Sequence, residues 1–407
     1  MRVEFGGEPT GLQIRQRVLG RQQQAKRQSK MRTTIVRNNF DNFLGATGTI
    51  RESWYGKGGD DTFSIYHYNS EIDFPSLPDL SDRFFGGSGD DLIETLYFDL
   101  NVGSGLSKYS QLSFDGGKGY DTVSSHAAVE MVAGFKLELD KIETNVISVE
   151  HWKYDIELFG GTEGGRFTLI AGAQDDTLNI SQMEQVVADG VRVKTQGGND
   201  NVTYHAGEDL SNLEVNTGKG NDYFEFTSAR DVTANLSIVT GKGKDTVVIN
   251  GSSNSSPDGL TADIRTGSGG DKIVLEGMHA ERLRAGTGSD DIYILTGSFS
   301  NAADTVSTGG GRDRLFIELD DYSTVAIVDD FSASKDIFVF DAAEAVSAVP
   351  RDTEVTFDQA EWRASDESLL FMSNEENRLY FGDNVLVEFS TDVELSSANF
   401  TTDTWGL

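Results

Sequence analysis

Short runs of alternating apolar and polar residues fill most of this chain. LEVN (213–216) precedes a glycine turn and YFEF (223–226) follows it; LSIV (236–239) precedes the next and TVVI (246–249) follows it. Alternation with period two predicts half-buried strands, and the glycine clusters between them predict tight turns. The stretch leaves no room for long helices.

The turns repeat in one frame. GKGGDDTF (56–63), GGSGDDLI (86–93), GGKGYDTV (116–123), TQGGNDNV (195–202) and TGKGNDYF (217–224) are followed by four more copies. These are TGKGKDTV (240–247), TGSGGDKI (266–273), AGTGSDDI (285–292) and TGGGRDRL (308–315), with a weaker copy, AGAQDDTL, at 171–178. The shared form is G/T-G-x-G-x-D-x-U, where U is apolar or aromatic. Its sixth position is Asp61, Asp91, Asp121, Asp176, Asp200, Asp222, Asp245, Asp271, Asp290 and Asp313. From Asp176 onward the intervals are 24, 22, 23, 26, 19 and 23 residues, whereas Asp61, Asp91 and Asp121 stand 30 apart. The 55 residues between Asp121 and Asp176 leave room for two turns, of which only the second is recognisable.

A strand, a glycine turn and another strand, repeated at this period, predict an all-β fold: a parallel β-roll or β-helix solenoid. Each coil takes about 20–30 residues. The solenoid is expected over 45–320, with 1–44 a basic, disordered segment. Residues 321–407 lose the glycine signature but keep strand-like runs such as DIFVFD and NVLVEF, so they are expected to cap the open end.

Composition adds a ligand class. The 407 residues include 66 acids against 34 Lys and Arg, a formal charge of −32. Nine of the basic residues fall in 1–37 with only Glu4 and Glu8, so the other 370 residues carry 25 − 64 = −39. Such an excess speaks against nucleic acid or an anionic membrane as partner and favours a cation. Cysteine is absent, which excludes disulfides and thiolate metal sites. No run is long and apolar enough for a membrane span. Residues 12–37 are basic and Gln-rich without the apolar stretch of a secretory signal, so export is expected to rely on another signal.

The repeated turn suits Ca²⁺, which takes roughly 6–8 oxygen ligands at about 2.3–2.6 Å and accepts carboxylates and carbonyls together. One turn offers too few oxygens, but two turns stacked about 4.8 Å apart can share an ion. The ten aspartates are the expected side-chain ligands. Gly56, Gly86, Gly116, Thr217, Thr240 and Thr266, at the first position, are expected to shape the cradle and contribute to the metal site. The apolar residue two places after the aspartate (Phe63, Ile93, Val123, Val247, Ile273) is expected to face the core. Acidic pairs such as Asp60/Asp61, Asp90/Asp91, Asp175/Asp176 and Asp290/Asp291 are better explained by the turn than by acid–base work.

These residues resemble the RTX, or haemolysin-type calcium-binding, repeat over 56 to about 320. VAIVDDFSASKDIFVF (325–340) and NVLVEFSTDVELSSANF (384–400) resemble the segments that follow such repeats in proteins exported by type I secretion. The resemblance implies a secreted or cell-surface protein of a Gram-negative bacterium, several Ca²⁺ ions, folding on calcium binding outside the cell, and the type I apparatus as partner. Tandem RTX repeats run every nine residues, whereas here one motif occurs per coil. One metal row down one edge is therefore expected, with irregular loops such as SSNSSPDG (252–259) on the other.

Catalytic signatures are missing. There is no HExxH and no GxSxG, and the five histidines (His67, His126, His151, His205, His279) are scattered. About 45 residues precede the first turn, too few for a separate catalytic domain. A non-catalytic role, attached to surface glycan or matrix, is expected. Two alternatives stay open: an extracellular enzyme acting on polysaccharide through loops at 64–85, 94–114 or 124–170, and an adhesin. Thr195, Thr217, Thr240, Thr266 and Thr308 form a first-position column that could be read as an ice-binding face, but cross-coil hydroxyl bonding explains it more simply.

Overall fold

The protein was analysed as a computed structural model. It describes residues 33–36, 43–46, 52–66, 83–100, 113–130, 136–138, 146–147, 151–159, 167–182, 190–228, 232–251, 259–277, 279–295, 305–317, 326–341, 362–363, 369–373, 377–381, 384–395 and 397–403. Residues 1–32, the loop 252–258 and much of 64–85, 94–114 and 124–170 lie outside that set. The chain is all-β, built of parallel stacked coils, and divides into two compact units.

In the first unit, strands Glu52–Tyr55, Arg83–Ser88 and Ser113–Lys118 pair in parallel in sequence order. Each runs through a glycine turn into a strand of a second sheet, as Glu52–Tyr55 does into Thr62–Tyr66. Thr33–Val36 pairs with Glu52–Tyr55, and Phe43–Ala46 with Thr62–Tyr66, so regular pairing reaches into the 1–44 stretch.

The second unit repeats this plan with shorter coils. One sheet runs from His151–Phe159 through Asp175–Gln182, Asn201–Ala206, Tyr223–Ser228, Thr246–Asn250, Lys272–Glu276, Asp291–Ile294 and Arg314–Ile317 to Ile337–Asp341 and Phe400–Asp403. The other contains Phe167–Ile170, Val191–Lys194, Leu210–Asn216, Ala234–Lys242, Leu260–Ser268, His279–Gly288, Thr305–Ser307 and Ala326–Val328. Every one of these neighbours is parallel, which is the geometry of a coil that returns to the same wall one turn later.

Alternation fixes the core. Asp175–Gln182 reads intermediate, buried, intermediate, buried along its length, and its inward residues are Leu178, Ile180 and Gln182. Inward positions then stack coil on coil: Val202 and Tyr204, Phe224 and Phe226, Val247 and Ile249, Ile273 and Leu275, all at most 1% exposed. The predicted core positions Phe63, Val123, Val247 and Ile273 are buried; the side chain of Ile93 lies outside the described set. Because every strand is parallel and in register, like packs on like, and Tyr204 stacks on Phe226 at 6.0 Å.

The C-terminal region both continues and closes the roll. Ala326–Val328 and Ile337–Asp341 add parallel rungs to the two sheets. Asn384–Phe389 then pairs in parallel with Ala326–Val328, and Arg378–Phe381, Leu369–Ser373 and Trp362–Arg363 follow it in antiparallel order. The switch in direction ends the coil repeat, and the ring of Phe331 stacks on Phe338 and meets Phe389 edge-on beneath it.

Candidate metal centre

All ten predicted aspartates are buried, none more than 2% exposed. Nine of the ten reach their place through a turn whose second position has a positive φ that side-chain-bearing residues rarely adopt. In eight of them the fourth position does too, as at Gly241 (φ 102) and Gly243 (φ 136); the weak copy before Asp176 is the exception. Lys57 (φ 86) and Gln196 (φ 73) adopt the same conformation without glycine's freedom, so the repeat imposes the backbone path even there. The fourth position also needs bare space. A Cβ on Gly243 would sit 1.6 Å from the carbonyl oxygen of Gly220 one coil away.

The aspartates form a ladder. The amide of every sixth-position aspartate but Asp121 donates to Oδ1 of the aspartate in the following coil. In the first unit Asp61 donates to Asp91 and Asp91 to Asp121, both at 2.8 Å. In the second unit the series runs Asp176 to Asp200 (3.0 Å), Asp200 to Asp222 (3.0 Å), Asp222 to Asp245 (2.9 Å) and Asp245 to Asp271 (2.9 Å). It ends with Asp271 to Asp290 (2.8 Å), Asp290 to Asp313 (2.9 Å) and Asp313 to Asp336 (3.0 Å).

That ladder consumes one oxygen per rung. The other, Oδ2, is buried without a hydrogen-bond partner at Asp91, Asp200, Asp222, Asp245, Asp271, Asp290 and Asp313. A buried carboxylate oxygen lacking a donor is costly when ionised. Burial accordingly pushes Asp91 up to about 7, reinforced by the charges of Asp121 and Asp61 and only partly offset by the Asp61 amide. Asp200 rises to about 7 and Asp290 to about 7, with burial again the main cause, and Asp313 to about 6. Burial also raises Asp222, Asp245 and Asp271.

The first-position threonines flank these carboxylates, and Thr195, Thr217, Thr240, Thr266 and Thr308 are fully buried. Four of their hydroxyls run a second ladder: Thr195 donates to the Thr217 carbonyl (2.9 Å), Thr217 to Thr240 (3.2 Å), Thr240 to Thr266 (3.1 Å) and Thr266 to Ala285 (2.7 Å). A hydroxyl has one proton, which each threonine shares between that carbonyl and the adjacent carboxylate. Thr195, Thr217, Thr240 and Thr266 therefore offset only part of the burial of Asp200, Asp222, Asp245 and Asp271. The Thr240 carbonyl also accepts the Gly218 amide at 3.0 Å, so both its lone pairs are engaged. A buried column cannot be an ice-binding face. The carbonyl of Gly86 likewise accepts the Lys57 amide (2.9 Å). Gly56 leaves room for the Asp61 carboxyl, whose Oδ2 lies 1.9 Å from where a Cβ would stand.

Two features escaped the sequence reading. The fifth position carries a third ladder of opposite sense, in which Asp60 Oδ1 accepts the Asp90 amide and Asp90 Oδ1 the Tyr120 amide, both at 2.8 Å. Asp175 accepts from Asn199 (2.6 Å), Asn199 from Asn221 (2.8 Å) and Asn221 from Lys244 (2.8 Å). The signal was the run of Asp and Asn at that position. The second feature is Asp336, which lacks a glycine turn but stands 23 residues after Asp313, with apolar Phe338 two places on. Unlike those seven, it has both oxygens served: Oδ1 accepts the Asp313 amide and Oδ2 the Ser332 amide at 2.7 Å. In the coil before Asp176, Trp152 stands in register with that aspartate.

Among the described residues, no group of three or more His, Asp or Glu side chains converges where one metal ion could sit. A cation in this column would therefore draw on one or two stacked carboxylates and main-chain oxygens. The donor set still fits a hard cation, because what the column leaves unserved is carboxylate oxygen, repeated once per coil. Of the histidines, His205 is the one with a described side chain, and its Nδ1 pairs with Thr227 Oγ1 at 2.9 Å on the exposed face. No family model, no curated protein and no solved structure matches this chain.

Proposed function

We propose that the chain is a secreted calcium-binding β-roll whose turn column takes up Ca²⁺ outside the cell and needs it for full stability. One observation carries this reading. Seven buried aspartates, in two series, each hold a carboxylate oxygen outside the amide ladder, and in four of them a threonine hydroxyl already bonded to a carbonyl offsets only part of the burial. Above their raised pKa values these groups are ionised, lie one coil apart and repel one another. Protons relieve that strain at low pH, and a hard divalent cation relieves it at neutral pH.

The threonine carbonyls join such sites only where their hydroxyl bonds give way, so the aspartates carry the binding. Export through a type I apparatus, with an uncleaved C-terminal signal, rests on the resemblance of residues 325–340 and 384–400. A non-catalytic role at the cell surface or matrix accords with the missing nucleophile and zinc motifs.

Thermal unfolding followed by far-UV circular dichroism, in EDTA and then in excess Ca²⁺ at pH 7.5, tests the reading, with Mg²⁺ as comparison. Calcium is expected to raise the melting temperature by more than 10 °C, several ions per chain being counted by elemental analysis. Identical melting curves with no bound metal would leave the aspartates as a protonated, metal-free ladder.

A further inference from the structure

The outward face of the second unit's other wall carries charge opposite to the rest of the molecule. On Leu260–Ser268 and His279–Gly288 the register sets Asp263 beside Arg282 and Arg265 beside Arg284. The inward residues Ile264 and Leu283 are fully buried, so alternation turns the three arginines to solvent. Arg265 and Arg282 are 49% exposed, and Arg284 is exposed as well.

Among the described residues one carboxylate pairs with this trio. Asp263 pairs with Arg265 at 2.8 Å and lies 3.9 Å from Arg282. Among the described residues Arg284 has no carboxylate partner. The adjoining strands add no acid: Ser237 and Val239 stand beside Asp263 and Arg265, and Thr305 and Ser307 beside Arg282 and Arg284. The next acid along the wall is Asp330, which accepts the amides of Thr308 and Gly309 and the hydroxyl of Ser307, the residue beside Arg284, and keeps its charge. Among the described residues the cluster thus sets three guanidinium charges against two carboxylates, Asp263 and Asp330, in a chain of net charge −32.

We propose that this wall binds an acidic polysaccharide, through sulfate or uronate groups laid along the coil axis. Guanidinium groups chelate such anions with two parallel N–H bonds. A stiff parallel wall repeats its side chains about 4.8 Å apart per coil, which suits a linear polyanion. Lys194, opposite Asn216 on the same face, extends the strip away from the arginines. The proposal does not depend on the calcium reading.

The test uses the full chain in saturating calcium, with dextran sulfate as probe and uncharged dextran as its match, followed by calorimetry over a range of salt. Binding to dextran sulfate alone, weakening as salt rises, is expected. Reversing Arg265→Glu with Arg284→Glu should lower affinity at least about tenfold, while Lys57→Glu with Lys118→Glu, exposed turn lysines of the first unit, should change it less than about twofold. If the arginine reversal disturbs the melting curve, Arg265→Gln with Arg284→Gln gives the same reading at about threefold. Equal loss in the lysine pair, no loss in either arginine pair, equal binding of dextran, or tighter binding to phosphatidylglycerol vesicles would each overturn the proposal. A missing calcium-dependent melting shift with dextran sulfate binding intact would instead sink the calcium reading alone.

Discussion

The amide of Asp222 donates to Oδ1 of Asp245 at 2.9 Å, one coil and 23 residues downstream, while Oδ2 of Asp245 is buried with no hydrogen-bond partner. One carboxylate thus has a structural half and an unserved half. Asparagine at 245 keeps the acceptor and removes the charge. In EDTA at pH 8, Asp245→Asn should raise stability by on the order of 1 kcal/mol, read by denaturant unfolding. In calcium the same variant should lose part of the metal-induced gain. Asp245→Ala strands the Asp222 amide and should cost about 1–3 kcal/mol in both conditions.

The same substitution at the last rung should act with opposite sign. Asp336 accepts Asp313's amide on Oδ1 and Ser332's amide on Oδ2, so asparagine must present an N–H where a carboxylate oxygen is needed. Asp336→Asn should destabilise by about 1–2 kcal/mol with or without calcium. A calcium-dependent penalty there would show that this rung also holds an ion.

The stability the ladder aspartates contribute should fall as pH rises in EDTA, and the gain from calcium should grow over the same range. The folded-state values of Asp91, Asp200 and Asp290, about 7, and of Asp313, about 6, lie above the ordinary 3.8. The folded state therefore holds more protons than the unfolded chain between those limits, and these groups favour folding fully below about pH 4. In EDTA their contribution should fall as pH rises from about 4 to about 7. With excess calcium the gain in melting temperature should grow over the upper part of that window, because binding displaces the protons. Melting curves from pH 4 to 8 in each condition check both slopes; a rising contribution in EDTA would contradict the buried, unserved oxygens.

Two glycines should separate close approach from mere composition. Gly243 combines φ 136 with a carbonyl oxygen 1.6 Å from any Cβ, whereas nothing lies within 4 Å of a Cβ on Gly310. Gly243→Ala should cost about 3 kcal/mol or prevent folding, and Gly310→Ala should stay within about 0.5 kcal/mol. Denaturant midpoints of the two variants decide it.

The threonine ladder makes a smaller, cleaner prediction. Thr240→Val keeps the shape but removes the hydroxyl that donates to the Thr266 carbonyl, which should cost about 1 kcal/mol, and Thr240→Ser should restore most of it.

The sequence by itself determined the coil. Period-two alternation, the glycine turn and the recurring aspartate specify strand, turn and strand, because a positive φ and a bare α-carbon are local demands that only certain residues meet. It also marked every sixth-position aspartate from Asp61 to Asp313. What each carboxylate does was decided by the tertiary structure, since its partner lies 19 to 30 residues away and is set by the stacking register. Stacking placed Trp152 in register with Asp176 and added Asp336 where no glycine announced a turn. It divided seven of the aspartates into an oxygen bonded to the amide ladder and a buried one outside it, and gathered Arg265, Arg282 and Arg284 onto one wall. Such groupings arise only when parallel coils bring distant residues into line.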